Sequence, residues 1–358
     1  MRVVQIIDSL ETGGAERMAV NFANALSDVI EFSGLITTRK EGLLLHQLNK
    51  KVPYLFLNKK KRIDLKAVFE LRKFIKKNRI QLVHAHSSSF FMAVLVKFTF
   101  PKIKIIWHDH YGPRIKQSKK QNRILVFFSS FFQAIFSVNK ELEEWSIENL
   151  KCKNVVFIPN FTSDNQKENR ETILKGEKDR RIVFLANLKN PKNHIIVLKA
   201  FLKLKLFEDN WSLHLIGKDY LDNYSKQLKD FTNQNELENC IYFYGTKSDI
   251  GFILSQASIG ILASTFEGFP VTLIEYGFAG LPVISTNVGH CSEIIQNKKN
   301  GLLFDPESET ELLSQLKKIT NNKSPHLEFG ENLKNTIKQN YTENKVIEKI
   351  LLEYNKIL

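Results

Sequence analysis

The sequence has few cysteines and lacks a long apolar run, and each absence excludes a class of protein. Three cysteines stand among 358 residues, none in a CxxC pair, which argues against a disulfide framework or a zinc finger and fits a reducing compartment. No stretch of 18 apolar residues is present, so we expect no transmembrane helix. The start, MRVVQIID, is typical of a first strand and not of a signal peptide. We therefore expect a cytoplasmic protein.

Glycine and proline are not in excess, and we find no internal repeat or low-complexity tract. The apolar fraction of 43% is enough for well-packed interiors and does not indicate disorder. A chain of this length is too long for one ordinary core and predicts two domains of roughly 150–180 residues each.

The positive charge is concentrated in one part of the chain. The net charge is +14, yet residues 39–123 alone hold 22 Lys/Arg against 4 Asp/Glu. Such a region indicates an anionic partner: a membrane surface, a nucleic acid or a phosphorylated substrate. No nucleic-acid recognition module is present. The clusters KKKR (59–62) and RKFIKKNR (72–79), close to Phe-rich runs, favour an anionic membrane surface over a merely solvated charged face.

Short apolar runs alternate with longer amphipathic segments along the chain. Helices are predicted at 14–27 and 65–78, the second with an apolar stripe of Leu65, Val68, Phe69, Leu71 and Ile75. Strands are predicted at 3–7, 32–37, 54–57, 81–86, 103–107, 134–138, 154–159, 182–187, 212–217, 240–245, 258–264, 281–286 and 301–304. This alternation predicts parallel sheets covered by helices on both faces.

The polar stretch 162–181 interrupts the alternation and is predicted to be a linker or a surface excursion. We therefore place one doubly wound, Rossmann-like domain at 1–161 and a second at 162–341. A final helix at about 342–358 is predicted to pack back on the first domain. Ligands of such folds bind at the carboxyl ends of the parallel strands.

The stretch EGFPVTLIEYGFAGLPVIST at 267–286 follows one of these strand ends. Pro270 suits the first turn of a helix, which we expect to run to about Phe278. The N–H groups of Val271, Thr272 and Leu273 are then free at the helix start, where a phosphate binds favourably.

Two glutamates flank this predicted anion site. Glu275 lies about 7.5 Å along the helix axis from its start, roughly the reach from a diphosphate to the ribose of the same nucleotide. Glu267 lies on the other side, near whatever the diphosphate carries. The alternative is that both glutamates are solvated surface charges.

The stretch closely resembles the E-x7-E motif of the family 4 retaining glycosyltransferases. Further matching motifs follow in the family's order: GGAER, LVHAHS, IIWHDHYG, IPN, LKNPKNHIIVLKAF, YFYGTKSDI and GLLFDPES. The resemblance covers nearly the whole chain. It implies the GT-B fold, in which two Rossmann-like domains face each other across a cleft, a nucleotide-sugar donor, and no metal or other cofactor.

The resemblance also assigns residues. Lys192 matches the lysine that neutralises the donor diphosphate. Asn187 stands where the family often has an arginine, so a second cation is missing unless Lys189 replaces it, and a lysine there does not reproduce a bidentate arginine. His110 matches the histidine beside the donor sugar, and His108 ranks second.

Other histidines and glycines are less clearly assigned. His84 and His86 share one face of a strand, and a structural role for them is as plausible as a functional one. The spacing around His108 and His110 offers no further ligands for zinc. The predicted catalytic residues are thus His110, Glu267 and Lys192, and the predicted donor-binding residues are Gly13, Gly14, Asn187, Lys189, Lys192, Glu267, Gly268, Phe269, Pro270, Val271, Thr272 and Glu275.

The resemblance implies a retaining, metal-independent hexosyltransferase that uses a UDP- or GDP-sugar. The basic first domain suggests a saccharide or lipid-linked saccharide acceptor at the inner membrane face, as in surface polysaccharide or lipopolysaccharide assembly. Two alternatives stay open. One is a nucleotide-sugar-binding protein with a degenerate site, and the other is a glycoside hydrolase that uses Glu267 and Glu275.

Overall fold

The computed structural model describes residues 1–11, 13–162, 170–321 and 324–358. The chain divides into two compact units: Met1–Ser163 together with Glu343–Leu358, and Asp164–Thr342. We call them the N-terminal and the C-terminal unit and describe each by itself.

Every strand that the sequence predicts is present, with ends within a few residues. The strands are β1 (Arg2–Ser9), β2 (Phe32–Lys40), β3 (Tyr54–Phe56), β4 (Leu82–His86), β5 (Lys104–Asp109), β6 (Ala134–Ser137), β7 (Val155–Phe157), β8 (Arg181–Leu185), β9 (Ser212–Ile216), β10 (Ile241–Gly245), β11 (Ile259–Leu262), β12 (Val283–Thr286) and β13 (Leu302–Phe304).

The helices connect these strands and follow the last of them. They are α1 (Gly14–Leu26), α2 (Leu65–Lys77), α3 (Phe90–Thr99), α4 (Arg123–Phe128), α5 (Lys140–Asn149), α6 (His194–Lys203), α7 (Asn223–Gln234), α8 (Ile250–Leu254), α9 (Val271–Phe278), α10 (Cys291–Ile294), α11 (Glu309–Asn321), α12 (Ser324–Asn340) and α13 (Glu343–Ile357).

The described strands form one parallel sheet in each unit. The N-terminal sheet has the order β3-β2-β1-β4-β5-β6-β7 and the C-terminal sheet the order β10-β9-β8-β11-β12-β13. Their Val- and Ile-rich strands are buried because helices cover both faces. In each sheet the strand order reverses once, between β1 and β4 and between β8 and β11, and such reversals open a crevice at the strand ends.

The predicted apolar stripe of α2 is only partly correct. Val68, Leu71 and Ile75 are buried in the core of the N-terminal unit, but Leu65 and Phe69 are more than half exposed. An amphipathic period predicts which side chains share a side of the helix, and the neighbouring helix decides how wide the covered strip is.

Helix α13 belongs to the N-terminal unit. Val346, Ile350 and Tyr354 share an apolar cluster with Val3 and Phe22, so residues from the two ends of the chain pack together. Burial of such side chains contributes roughly 1.5–3 kcal/mol each.

The stretch predicted as a linker, 162–181, lies in part (163–169) outside the described residues. The remainder is not a loose excursion. Leu174 is buried, and the backbone N–H and the hydroxyl of Thr172 donate to the Asp249 carboxylate at 2.7 and 3.0 Å. The sequence did not indicate these hydrogen bonds. A segment held by hydrogen bonds, and not by a buried apolar face, has no periodic pattern of apolar residues.

Candidate active site

The loop after β8 carries the first group of predicted site residues. The side-chain oxygen of Asn187 accepts a hydrogen bond from the backbone N–H of Lys218 at 2.9 Å, and Leu188 N–H donates to Lys218 O at 2.9 Å. Asn187 therefore ties the end of β8 to the end of β9. Gly217 permits this approach, because a Cβ added there would stand 2.1 Å from the Ala186 carbonyl oxygen.

Lys192 and Glu267 form an ion pair at the carboxyl ends of β8 and β11. The Lys192 ammonium lies 2.6 Å from Glu267 Oε1, and the Ser264 hydroxyl donates to the same oxygen at 2.6 Å. The Thr265 N–H donates to Pro191 O at 2.9 Å, which joins the two loops through their backbones as well. Two residues assigned by different motifs are thus brought into direct contact.

Helix α9 begins one residue later than predicted, with Pro270 as its N-cap. The expectation of three free N–H groups is wrong for two of them. Val271 N–H donates to Phe269 O at 3.1 Å and Leu273 N–H to Pro270 O at 3.0 Å. The positive end of the helix dipole is still at this position, so the helix start still attracts an anion, although two of its N–H groups already have acceptors.

The side chains of α9 fasten the helix to β8. Thr272 Oγ1 donates to Leu185 O at 3.2 Å. The buried Tyr276 hydroxyl accepts from Leu185 N–H at 2.9 Å and donates to Ile261 O at 3.0 Å. Tyr276 therefore holds β8 and β11 together at the point where the strand order reverses.

Two other predicted residues have different surroundings. The Phe269 ring is buried and stacks on His290 at 4.9 Å, with Tyr341 at its edge, so its side chain is a packing element. Glu275 is half-buried on the middle of α9. Glu267 therefore lies in an ion-paired loop and Glu275 within a helix, which are different environments for the two carboxylates.

A second cationic group lies beside Asn187. The ammonium groups of Lys189 and Lys218 are 5.7 and 5.0 Å from the centre of the Tyr220 ring, within the range of a cation–π contact. Lys218 lies outside the motifs that resemble those of the family. It is found only once the β8–β9 pairing puts it next to Asn187.

In the N-terminal unit, four histidines lie on one face of the sheet. Two stand at alternate positions of β4, one stands near the end of β5, and the fourth, His110, directly follows β5. The register sets His86 opposite His108. His84 Nε2 is 3.1 Å from His108 Nδ1, and His86 Nδ1 is 3.0 Å from His110 Nε2. The predicted pair His108 and His110 is thus part of a larger cluster with His84 and His86.

Each half of this cluster ends on a residue from another element. The Tyr354 hydroxyl of α13 lies 2.6 Å from His84 Nδ1, and Gln5 Oε1 of β1 lies 2.9 Å from His86 Nε2. At the opposite ends, His108 Nε2 and His110 Nδ1 are buried atoms without a hydrogen-bond partner among the described residues.

Burial keeps all four imidazoles neutral. It holds the pKa of His84, His86 and His108 well below the usual 6.5, and neighbouring histidines lower these pKa values further. Burial lowers the pKa of His110 to about 3. At neutral pH, His110 is therefore a neutral hydrogen-bonding group and a very weak base.

The expectation that zinc ligands are lacking at useful spacing needs a correction. Ring nitrogens of His84, His86 and His108 lie within 4.8 Å of one another, because sheet pairing joins two motifs that are distant in sequence. Both nitrogens of His84 and of His86 already make hydrogen bonds, so a metal ion would have to break several of them. The prediction of a metal-free enzyme stays a prediction.

The predicted glycines stand at the start of α1. Gly13 is its N-cap in an extended conformation. A Cβ on Gly13 would meet only the flexible Glu16 side chain, and one on Gly14 would meet open space. The fold of the described residues therefore does not itself require either glycine. Thr12, the residue before them, lies outside the described residues.

Comparisons with known proteins match both units. The family model "Glycosyltransferase Family 4" matches residues 12–166, and the model "Glycosyl transferases group 1" matches residues 165–337. A crystal structure of Anabaena Alr3699/HepE in complex with UDP and glucose has a TM-score of 0.84 at 16% identity, covering 99% of this chain and 100% of that one. The two parallel-sheet units and this likeness define a GT-B fold.

Curated relatives of known class are similar over most of the chain. An O-antigen biosynthesis glycosyltransferase of Escherichia coli, WbnH, is 25% identical over 319 residues, 88% of each chain. A UDP-Gal:alpha-D-GlcNAc-diphosphoundecaprenol alpha-1,3-galactosyltransferase of the same species is 24% identical, covering 80% of this chain and 78% of its own. The protein is a GT-B glycosyltransferase, and it belongs to glycosyltransferase family 4.

Proposed function

We propose that this glycosyltransferase moves a sugar from a nucleotide-diphosphate donor, a UDP- or GDP-sugar, to a saccharide or lipid-linked saccharide, with retention of anomeric configuration and without a metal. The observation that carries the proposal is the Lys192–Glu267 ion pair at the carboxyl ends of β8 and β11, beside the start of α9. The relatives' names, O-antigen biosynthesis and a diphosphoundecaprenol-linked acceptor, support the acceptor class and a place in surface polysaccharide assembly.

In this mechanism the leaving group is a nucleoside diphosphate. Lys192 and the positive end of the α9 dipole stabilise the negative charge that develops on it. Glu267 accepts hydrogen bonds from donor-sugar hydroxyls and positions the sugar, while Ser264 and Lys192 orient its carboxylate. The acceptor hydroxyl attacks from the face that the diphosphate leaves, and the leaving phosphate oxygen takes its proton. Glu275, farther along α9, is proposed to bind the ribose hydroxyls.

The test is transfer from UDP- and GDP-sugars to a diphosphoundecaprenol-linked saccharide by the purified protein, with EDTA present. Lys192→Met and Glu267→Gln should each lower kcat about 10²-fold or more, as loss of a transition-state charge contact does. NMR of the product should show the anomeric configuration of the donor.

The matched control is Lys203→Met, which removes an exposed lysine paired with Glu309 in the same unit and should leave kcat unchanged. Full activity of Lys192→Met or Glu267→Gln contradicts the assignment. Tight donor binding without transfer to any acceptor favours the degenerate-site alternative. Sugar release from a substrate without a nucleotide favours a hydrolase.

We also propose that the protein contacts an anionic membrane surface through its N-terminal unit, at a surface that we call the phenylalanine patch: Phe91, Phe98, Phe127, Phe128 and Phe131. Neighbouring rings of this patch lie 5.2–6.4 Å apart, and Phe98 and Phe127 are more than half exposed. None of the helices in the described residues has the length and apolar character that crossing a bilayer requires.

Basic residues border the patch. The Arg62 guanidinium lies 5.5 Å from the Phe91 ring, and the Lys151 ammonium lies 5.5 Å from the Phe127 ring. Lysines and arginines near an anionic surface contribute about 1 kcal/mol each, and exposed aromatic rings insert at its interface. Lys59 does not belong to this set: it is buried, and burial lowers its pKa, so only Lys60, Lys61 and Arg62 of the KKKR cluster are available.

Sedimentation with phosphatidylglycerol vesicles, compared with phosphatidylcholine vesicles, tests this surface. Phe98→Ser with Phe127→Ser should weaken binding to the anionic vesicles at any salt concentration. Replacing Lys60, Lys61 and Arg62 by Gln should weaken it mainly at low salt, where charges are poorly screened. A control with Gln at Lys199, Lys203 and Lys205 of the C-terminal unit removes the same charge. Equal binding by all variants would contradict the proposal.

A further inference from the structure

Gln5 occupies an unusual place for a polar side chain. It lies in the middle of β1, an interior strand of its sheet at the strand reversal, and is fully buried. Its Oε1 atom lies 2.9 Å from His86 Nε2, and His86 Nδ1 lies 3.0 Å from His110 Nε2. A chain of two hydrogen bonds thus leads from the core of the N-terminal unit to a predicted catalytic histidine.

The amide of Gln5 determines which atoms donate and which accept in this chain of hydrogen bonds. An amide oxygen only accepts hydrogen bonds, and a neutral imidazole has one donor nitrogen and one acceptor nitrogen. Because Oε1 faces His86, His86 must carry its proton on Nε2. Its Nδ1 is then an acceptor, so His110 must donate from Nε2, which leaves a lone pair on His110 Nδ1.

In the neighbouring chain of hydrogen bonds, the donor and acceptor roles are not fixed in this way. Tyr354, His84 and His108 are connected in the same way, but a phenol hydroxyl both donates and accepts. The Tyr354 hydroxyl therefore fits either tautomer of His84. The two chains are otherwise alike: each has a histidine of β4 stacked on a histidine in β5 or directly after it, and each ends on a buried residue.

We propose that Gln5 is a positioning residue that acts through His86 to fix His110 as the Nε2–H tautomer, so that His110 Nδ1 serves as a hydrogen-bond acceptor for a substrate hydroxyl. The inference rests on the proposed function for the identity of the substrate. It also specifies how His110 acts. The Gln5 amide cannot take up a proton, so the chain is not a proton relay, and His110 holds a hydroxyl without removing its proton.

The direct test is ¹⁵N NMR of histidine-labelled protein at pH 7.5, which distinguishes protonated from unprotonated ring nitrogens. In the wild-type protein, His110 Nδ1 should be unprotonated and Nε2 protonated. Gln5→Met removes the acceptor with little change in volume, and His110 should then show a mixture of tautomers. Gln5→Glu retains an acceptor oxygen and should retain the wild-type tautomer.

Kinetics provide the second readout. Gln5→Met should lower kcat at least about tenfold, since groups that fix a histidine tautomer affect the rate strongly, with donor KM changed less than twofold. Gln5→Glu should recover a large part of that loss.

Tyr354→Phe is the matched control, because it removes the buried end of the other chain. The Tyr354 hydroxyl also contacts the Gln5 side chain, but the variant keeps the bond between Gln5 Oε1 and His86 that fixes the tautomer. It should leave the His110 tautomer and kcat within about twofold of wild type, even if it destabilises the fold as much as Gln5→Met does.

A protonated His110 Nδ1 in the wild-type protein, or an unchanged tautomer in Gln5→Met, would overturn the inference. Absence of sugar transfer by the wild-type protein would instead contradict the proposed function, because the NMR result does not depend on turnover.

Discussion

The structure gives Lys218 a candidate role in donor binding that the sequence did not indicate. Asn187 cannot supply the cation that its position often carries in this family, and Lys189 was the expected replacement. Lys218 is half-buried, and its backbone is fixed to the β8 loop by hydrogen bonds to Asn187 and Leu188. The Lys189 backbone is also hydrogen-bonded, to Asn187 and Lys192, but Lys189 is exposed. The half-buried Lys218 side chain has less conformational freedom to lose when it binds a phosphate, so Lys218 is the better candidate.

We predict that Lys218→Met weakens UDP binding about tenfold, which corresponds to roughly 1.4 kcal/mol for one charge-assisted contact. Lys189→Met should weaken it less. Isothermal titration calorimetry measures both, and Lys226→Met, an exposed lysine on α7, is the control. If only Lys189→Met weakened binding, Lys189 would be the second cation after all.

At the residue scale, the resemblance to the family was enough to single out Lys192 and Glu267, whose charged groups lie 2.6 Å apart in the structure. It did not reveal Ser264, Lys218 or Gln5. Lys218 and Gln5 act through hydrogen bonds to residues on other strands or loops, and no local pattern shows which strands are neighbours. Ser264 bonds to Glu267 within the same loop, and spacing does not show which way a loop side chain points.

At the scale of elements, α9 depends on one tyrosine. Tyr276 lies against Gly260, where an added Cβ would stand 2.7 Å from the Tyr276 ring, so the glycine leaves room for the ring over β11. The hydroxyl then reaches the backbone of both β8 and β11. The start of α9 is thereby fixed relative to the loop that carries Lys192.

We predict that Tyr276→Phe lowers the free energy of unfolding by about 1–3 kcal/mol, because the partly buried Leu185 N–H loses its acceptor. Hydrogen exchange followed by mass spectrometry should show faster exchange in the peptide that contains Leu185. Tyr341→Phe removes another tyrosine hydroxyl of the same unit, which lies 3.3 Å from His290, and should leave that peptide protected. Unchanged exchange in Tyr276→Phe would contradict this role.

At the scale of the whole molecule, buried histidines link stability to pH. Burial holds the pKa of His84, His86 and His108 well below 6.5 and lowers that of His110, His194 and His214 to about 3. Below pH 6.5 the unfolded chain binds protons that the folded chain does not. Stability is therefore complete above about pH 6.5 and falls as the pH drops towards 3, by up to about 1.4 kcal/mol per pH unit for each histidine.

We predict that the midpoint temperature of unfolding is nearly constant between pH 7 and 8 and falls steeply below pH 6. We use the midpoint temperature of each unit, because the two units need not unfold together and a single free energy of unfolding is then not defined. In a Trp211→Phe variant, Trp107 and Trp145 report on the N-terminal unit, which contains four of these six histidines. The midpoint temperature of the N-terminal unit should fall more on acidification than that of the C-terminal unit. Equal midpoints at pH 5 and pH 8 would contradict the prediction.

The sequence by itself determined the number of strands, their alternation with helices, the family and the two residues of the Lys192–Glu267 pair. The strands and helices follow from the apolar period, and the family and the pair follow from the resemblance of short motifs to those of a known family. Both kinds of signal are local properties of the chain. Only the tertiary structure decided that β4 and β5 align four histidines, that Gln5 and Tyr354 end their hydrogen-bond chains, and that Lys218 lies beside Asn187. Strand order and register bring these residues together, and both result from packing over the whole sheet.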